Sequence, residues 1–304
     1  MHAYRRTKKK RGSERKHFPA ILSFVYRNRF AVANQIQRRF ADVLKSDRTV
    51  RRHLEEMETL GYLGVAPTRS TSPLWPKVYY VTKRGARRLR EILARKGKAG
   101  NVIRLERTRP EGYSADHVLH EIFITEFLLA VWQTMRARED LTLLATERRS
   151  LGKHPAFRVT VGSKVTQLEP DAMFLYRQEG KGMMCCFLEM DMGTMSAVQL
   201  RRKVERYENW AESRAAEQFL EALYSKYGAR NPRAAFRLLV VASGKNNNDD
   251  RLAEVMEIGI AFPMTLRRCW FTTVTRLREQ QFGSSPLDGP LWRTFRCATA
   301  TALW

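Results

Sequence analysis

LEPDAMFLYRQEGKGMMCCFLEMD, residues Leu168 to Asp191, is two apolar runs around a short polar turn. Apolar, aromatic and sulfur side chains fill Ala172–Tyr176 and Met183–Leu188, and Gln178-Glu179-Gly180-Lys181-Gly182 supplies the glycines of a reversal, so the stretch predicts a β-hairpin. A turn centred on Gly180 sets Asp171 opposite Glu189. Directly opposed side chains have Cβ atoms about 4.5–5.5 Å apart, where like charges repel unless something neutralises them. Asp191 shares a face with Glu189, because side chains repeat every second residue along a strand. Three carboxylates thus converge on an otherwise apolar hairpin.

A hard divalent cation bound by oxygen ligands, Mg2+ or Mn2+, would resolve that repulsion. Such an ion lowers the pKa of a bound water and stabilises charge on a phosphoryl oxygen, as phosphodiester hydrolysis requires. The alternative is that the acids pair with Arg201, Arg202 or Lys203 and are structural.

Working outward, the apolar spacing of Val118, Ile122, Phe127, Leu128 and Val131 predicts a helix from Ala115 to about Arg136, followed by a strand near Leu141–Thr146. After the hairpin come a long charged helix from Ser196 to Tyr224, a strand Phe236–Ala242, a helix after Asp249-Asp250 and a strand Trp270–Val274. Helix, three strands, helix, strand is an α/β (α+β) order in which helices cover one sheet.

The first hundred residues read differently. Ile21, Leu22, Val25 and Tyr26 make one helical stripe, and Val32, Ile36, Phe40 and Leu44 a second. A third helix, capped by Ser46 or Asp47, buries Val50, Leu54, Met57 and Leu60 and stops at Gly61, leaving Arg48, Thr49, Arg51 and Arg52 on the opposite face. Two short strands, Tyr62–Val65 and Lys77–Thr82, flank a polar tip containing Arg69 and Trp75, and a fourth helix runs from Lys83 to about Leu93. This predicts a winged helix-turn-helix over 17–95, preceded by a basic arm over 1–16 expected to be disordered, and joined by a linker over 96–114 to an α/β domain over 115–304. A major groove about 12 Å wide admits one helix, so Arg48, Thr49, Arg51 and Arg52 are candidates to enter it, with Arg69, Trp75 and Lys77 in the wing. The same layout also serves protein–protein contacts.

Charge supports a polyanionic partner. Among 304 residues, 55 Lys+Arg against 31 Asp+Glu leave a net charge of +24, while a hydrophobic fraction of 43% is ordinary for a folded chain. Neither an apolar run of about 18 residues nor an apolar leader is present, which predicts a cytoplasmic, DNA-associated protein rather than a membrane one. Cys185, Cys186, Cys269 and Cys297 form no C-x-x-C, so reduced thiols in or near a core are expected. His120-Glu121 lacks a second histidine one turn on, where Ile124 stands, and no G-x-x-x-x-G-K-[ST] occurs, so zinc-peptidase and ATP-driven chemistry have no support.

"TVRRHLEEMETLGYL" and "YYVTKRGARRL" resemble winged-helix proteins, and "EPDAMFLY" with "CFLEMD" resembles the PD-(D/E)xK nuclease superfamily. "HEIFITEFLLAV", the Pro170-Asp171 pair, "FLEMDMGTM" and "RRKVERYENW" together are similar to the replication-relaxation family of plasmids and mobile elements. The resemblance implies that Asp171 and Glu189 bind the metal. It places the superfamily's lysine at 191, where this chain has Asp191, and makes Lys203 on the next helix the substitute. The implied catalytic set is Asp171, Glu189, Asp191 and Lys203. Glu126 on the first helix is a candidate further oxygen donor, or else a solvated helix residue. Two functions follow: a metal-dependent DNA endonuclease or nickase, or a non-catalytic replication, relaxation or transcription factor using the nuclease fold as a scaffold. Expected partners are double-stranded DNA and, beyond it, a second copy of the chain or other proteins of the element.

Overall fold

A computed structural model describes residues 16–67, 76–95, 113–148, 154–229, 235–244, 247–280, 287, 291–295, 297–301 and 303. The chain is mixed α/β and divides into two compact units, Met1–Ile122 and Phe123–Trp304.

The first unit runs α1 (Phe18–Asn28), β1 (Phe30–Val32), α2 (Ala33–Arg39), α3 (Asp47–Thr59), β2 (Leu63–Val65), β3 (Val78–Val81) and α4 (Lys83–Arg95). Its three strands form an antiparallel sheet in the order β1-β3-β2. Strand β1 departs from the sequence reading, which ran a helix through Val32. Arg29, with φ 62°, turns the chain out of α1, and Phe30–Val32 then pair with Val78–Tyr80. The helix starts only at Ala33, where the Gln35 side chain accepts from the Val32 N–H at 3.2 Å. In α3, Val50, His53, Leu54 and Met57 are buried at i, i+3, i+4 and i+7, and Ser46 Oγ caps the Thr49 N–H at 3.2 Å. Gly85 lets α4 approach β2 closely, since a Cβ there would strike the Tyr62 carbonyl.

The helix α5 (Ala115–Ala137) contributes residues to both units, so the division falls inside it rather than at the linker. In the first unit, Val118 and Ile122 pack with Tyr113 on the Phe30, Val32, Val78 and Tyr80 side of the small sheet. By length and composition α5 could cross a membrane. Its Ile124, Phe127, Leu128 and Val131 are instead buried in the core of the second unit.

The second unit continues with β4 (Leu141–Glu147), β5 (Arg158–Val161), β6 (Lys164–Gln167), β7 (Ala172–Gln178), β8 (Gly182–Asp191), α6 (Ala197–Ala211), α7 (Arg214–Lys226), β9 (Phe236–Ala242), α8 (Asn248–Gly259), α9 (Pro263–Arg268), β10 (Cys269–Thr273), α10 (Val274–Gln280), β11 (Trp292–Thr294) and β12 (Cys297–Thr301). Seven strands form one mixed sheet, β12-β11-β10-β9-β8-β7-β4, in which β8, β9 and β10 are parallel and the other pairs antiparallel. The sequence reading had five of these strands, all but β11 and β12. The β5–β6 hairpin, which it lacked, is a separate two-stranded sheet. The single helix expected over Ser196–Tyr224 is two, because Ser213 caps a new helix by accepting from the Ala216 N–H at 3.2 Å.

The hairpin register is the one expected: Ala172 pairs with Leu188 and Gln178 with Gly182, with Gly180 and Gly182 at φ 72° and 96° in the reversal. That register sorts side chains by parity. Even-numbered Ala172, Phe174, Tyr176, Cys186, Leu188 and Met190 pack with α5. Odd-numbered Met173, Leu175, Cys185 and Phe187 pack with α6, α7 and α8 through Tyr207, Trp210, Leu220 and Leu252. Cys185, Cys186 and Cys269 are free, buried thiols, and burial raises Cys186 to about 12.

Candidate functional site

The acids occupy the odd-numbered face at the carboxyl end of β8. Asp171 stands just before β7, opposite Glu189: its N–H donates to the Leu188 carbonyl at 3.1 Å, and its Oδ2 accepts from the Met190 N–H at 2.8 Å. Its carboxylate is thereby fastened to the β8 backbone between Glu189 and Asp191. Glu189 and Asp191 are only 6% and 2% exposed, in a setting where an unpaired charge would cost several kcal/mol.

The chain supplies its own cations. Helix α6 lays Leu200, Lys203, Tyr207 and Trp210 along one face, and two of these grip Glu189: Tyr207 donates its hydroxyl to Oε1, and the Lys203 ammonium lies against Oε2. Both carboxylate oxygens of Glu189 are thus engaged from α6. Asp191 is held by Arg251 in the first turn of α8, whose Nε donates to Oδ2 at 2.6 Å, while the Gly193 N–H donates to Oδ1 at 3.1 Å. Arg251 also reaches Glu254 Oε2 at 2.5 Å and the Met195 carbonyl at 3.0 Å, tying the loop after β8 to α8.

Burial pushes Glu189 up to about 8. Lys203 draws it down and the Asp171 carboxylate pushes it up. Burial works against the Lys203 charge, but Glu189, Asp171 and Asp191 together outweigh it and hold the ammonium above its ordinary value. Burial, reinforced by Glu189, also raises the Tyr207 phenol, which stays a donor.

The structure thus brings together Asp171, Glu189, Asp191 and Lys203. Arg201 and Arg202, the other cations weighed as partners, are exposed. Glu126 is not brought to this face: it sits on α5, whose buried residues pack against the even-numbered side. Among the described residues no three carboxylate, imidazole or thiolate groups form a set that could hold a metal. Asp191 is paired with Arg251, a cation that the sequence reading had not weighed as its partner. Sequence reasoning missed Tyr207 and Arg251. Tyr207 could have been found from its i, i+4 spacing to Lys203, and Arg251 from its place in the first turn of the helix joining two parallel strands.

In the first unit, Arg48, Arg51 and Arg52 are exposed on α3, opposite its buried stripe. Arg51 is partly engaged, with Nε 2.7 Å from Asp47 Oδ2. Thr49 serves the helix cap: its N–H donates to Ser46 Oγ, and its hydroxyl is 2.9 Å from the same atom. Lys77 reaches back to Glu58 at 3.5 Å. The basic arm, Arg69, Trp75 and most of the linker lie outside the described residues.

No curated protein and no solved structure matches this chain. The replication-relaxation family matches residues 22–221, which include α3, the acid cluster and Lys203. That span is well over half of the 304 residues, so the chain belongs to the replication-relaxation family, and its function is replication-related.

Proposed function

We propose that the chain binds double-stranded DNA of a plasmid or mobile element through a winged helix, and cleaves or nicks it at a metal-dependent site of the PD-(D/E)xK type. The observation that carries this reading is the juxtaposition of Lys203 with Glu189, across the hairpin from Asp171. It is the two acids and one lysine of that chemistry, with the lysine delivered from α6 because position 191 is an aspartate.

Asp171 and Glu189 would hold Mg2+ or Mn2+, which when bound supplies Lewis acidity and a water of lowered pKa. Lys203, kept charged by the surrounding carboxylates, has its ammonium where it can donate to a phosphoryl oxygen as negative charge builds there. Tyr207 fixes the orientation of Glu189, and Arg251 keeps Asp191 from adding a third negative charge. In the first unit, Arg48 and Arg52 at the start of α3 are the side chains best placed to enter a major groove. The protein would work in the cytoplasm, on DNA.

The test is incubation with supercoiled plasmid carrying the element's own flanking DNA, with and without Mn2+. Nicked or linear product should appear only with metal, and Asp171→Ala with Glu189→Ala should abolish it while leaving DNA binding largely intact. A second reading, DNA binding without catalysis, is favoured by Lys203 and Arg251, which bring two positive charges to the cluster from within the chain. It predicts retardation of DNA and no nicking in any divalent metal.

A further inference from the structure

The β5–β6 hairpin stands immediately before Asp171 and is not explained by the acid site. Its pairing is Arg158 with Gln167, Val159 with Thr166, Thr160 with Val165 and Val161 with Lys164. One face, led by Val159, turns into the core. The other carries Arg158, Thr160, Val165 and Gln167, and Val165 is 71% exposed, an unusual position for a β-branched apolar residue on so short a ribbon.

The ribbon is also rigidly mounted. Leu168 N–H closes its base on the Phe157 carbonyl at 2.8 Å, and Phe157 stacks on Trp210 at 5.0 Å. The Trp210 indole donates to the Ala156 carbonyl at 2.7 Å, and Asn209 donates to the Thr160 carbonyl at 3.1 Å. Trp210 and Asn209 belong to α6, the helix that carries Lys203 and Tyr207. From Gln167 the chain needs four residues to reach Asp171, so the ribbon base is at most roughly 14 Å from the acids.

We propose that this ribbon is a second DNA-reading element, lying in the major groove beside the phosphate that the acid cluster engages. The inference rests on the DNA-binding reading above. Groove width admits a two-stranded ribbon as well as a helix. The exposed side chains are of kinds that read base edges, arginine for guanine and threonine or an apolar group for the thymine methyl, while Gln167 is half-buried with its amide donating to the His154 carbonyl at 3.3 Å. No acidic residue occurs between His154 and Leu168, and Lys164 adds a phosphate contact at the tip, so the charge suits a duplex.

The test uses the full chain and a pool of randomised duplexes. Wild type should enrich two blocks of sequence. Arg158→Ala with Lys164→Ala should lose one block, weaken binding to the enriched duplex by about 5- to 140-fold, and lower the salt slope by about 1 to 2. Val165→Ser, too exposed to disturb the core, should relax preference within the same block. If both ribbon variants keep the wild-type blocks and slope while Arg48→Ala with Arg52→Ala weakens binding, the ribbon proposal falls and the DNA reading stands. If wild type binds no duplex in a salt-dependent way, both fall.

Discussion

Replacing Arg251 by methionine isolates what holds the acid cluster together. The guanidinium makes three contacts, to Asp191 at 2.6 Å, Glu254 at 2.5 Å and the Met195 carbonyl at 3.0 Å, and Asp191 is 2% exposed. Arg251→Met leaves Asp191 buried, with the Gly193 N–H on Oδ1 but no cation. Removing one partner of a buried pair costs about 3–5 kcal/mol, because the remaining charge is uncompensated. In a unit of this size each kcal/mol moves the melting temperature by about 2–4 °C, so a fall of roughly 6–20 °C is expected. Adding Asp191→Asn should return about 1–3 kcal/mol relative to the sum of the single changes, as groups in direct contact do. Urea unfolding of the four proteins of this cycle, in metal-free buffer, gives the coupling directly. An Arg251→Met cost below about 1 kcal/mol, or strict additivity, would refute the argument that Asp191 is neutralised from within the chain. Stabilisation of wild type by Mn2+ that Asp191→Asn abolishes would refute it too, by making Asp191 a metal ligand.

Glu189, raised to about 8, keeps its proton in the folded protein over a pH range where the unfolded chain has lost it. Stability should therefore fall as pH rises from about 4.5 to 8, by at most about 1.4 kcal/mol per pH unit, and Glu189→Gln should flatten that slope in urea titrations at pH 5.5 and 7.5. Arg52 is exposed, whereas Arg51 is tied to Asp47, so Arg52→Ala should lower the salt dependence of DNA binding by nearly 1 and Arg51→Ala by less. Equal effects would show that the Asp47 pair dissolves on DNA. Arg29 combines φ 62° with a 2.9 Å ion pair to Glu121, so Arg29→Gly, which relieves the backbone, should be less destabilising than Arg29→Ala by about 1–2 kcal/mol in thermal melts.

The parts of the fold that could be read from the sequence are those specified by adjacent residues. The β7–β8 register follows from two glycines in a five-residue turn and a period-two pattern on both sides, so Asp171 opposite Glu189 is legible in the sequence alone. Helix α3 was legible for the same reason, with its cap, stripe and stop all local. Strand β1 was not. Val32, Ile36 and Phe40 keep helical spacing, and only pairing with Val78–Tyr80, far along the chain, makes Phe30–Val32 extended. The β5–β6 ribbon was missed because its exposed strands are polar and short, with no apolar alternation strong enough to stand out.

The acid cluster shows the same division more sharply. Its negative charges lie on one hairpin and could be counted there, but their counter-charges come from α6 and α8, and Arg251 is sixty residues from Asp191. A right-handed crossover between parallel strands brings the first turn of such a helix to the carboxyl ends of the strands, and that is where Arg251 meets Asp191. Three like charges on a hairpin demand compensation, and a metal was only one source of it. Arg251 is spent on Asp191, and Lys203 stands beside Glu189 within the field of Asp171 as well. A cation bound there would have to share Glu189 with Lys203. The lysine is therefore the residue on which the choice between a catalytic and a purely DNA-binding role turns: Lys203→Met should raise metal affinity if the two compete, and abolish cleavage if the ammonium acts on the phosphate.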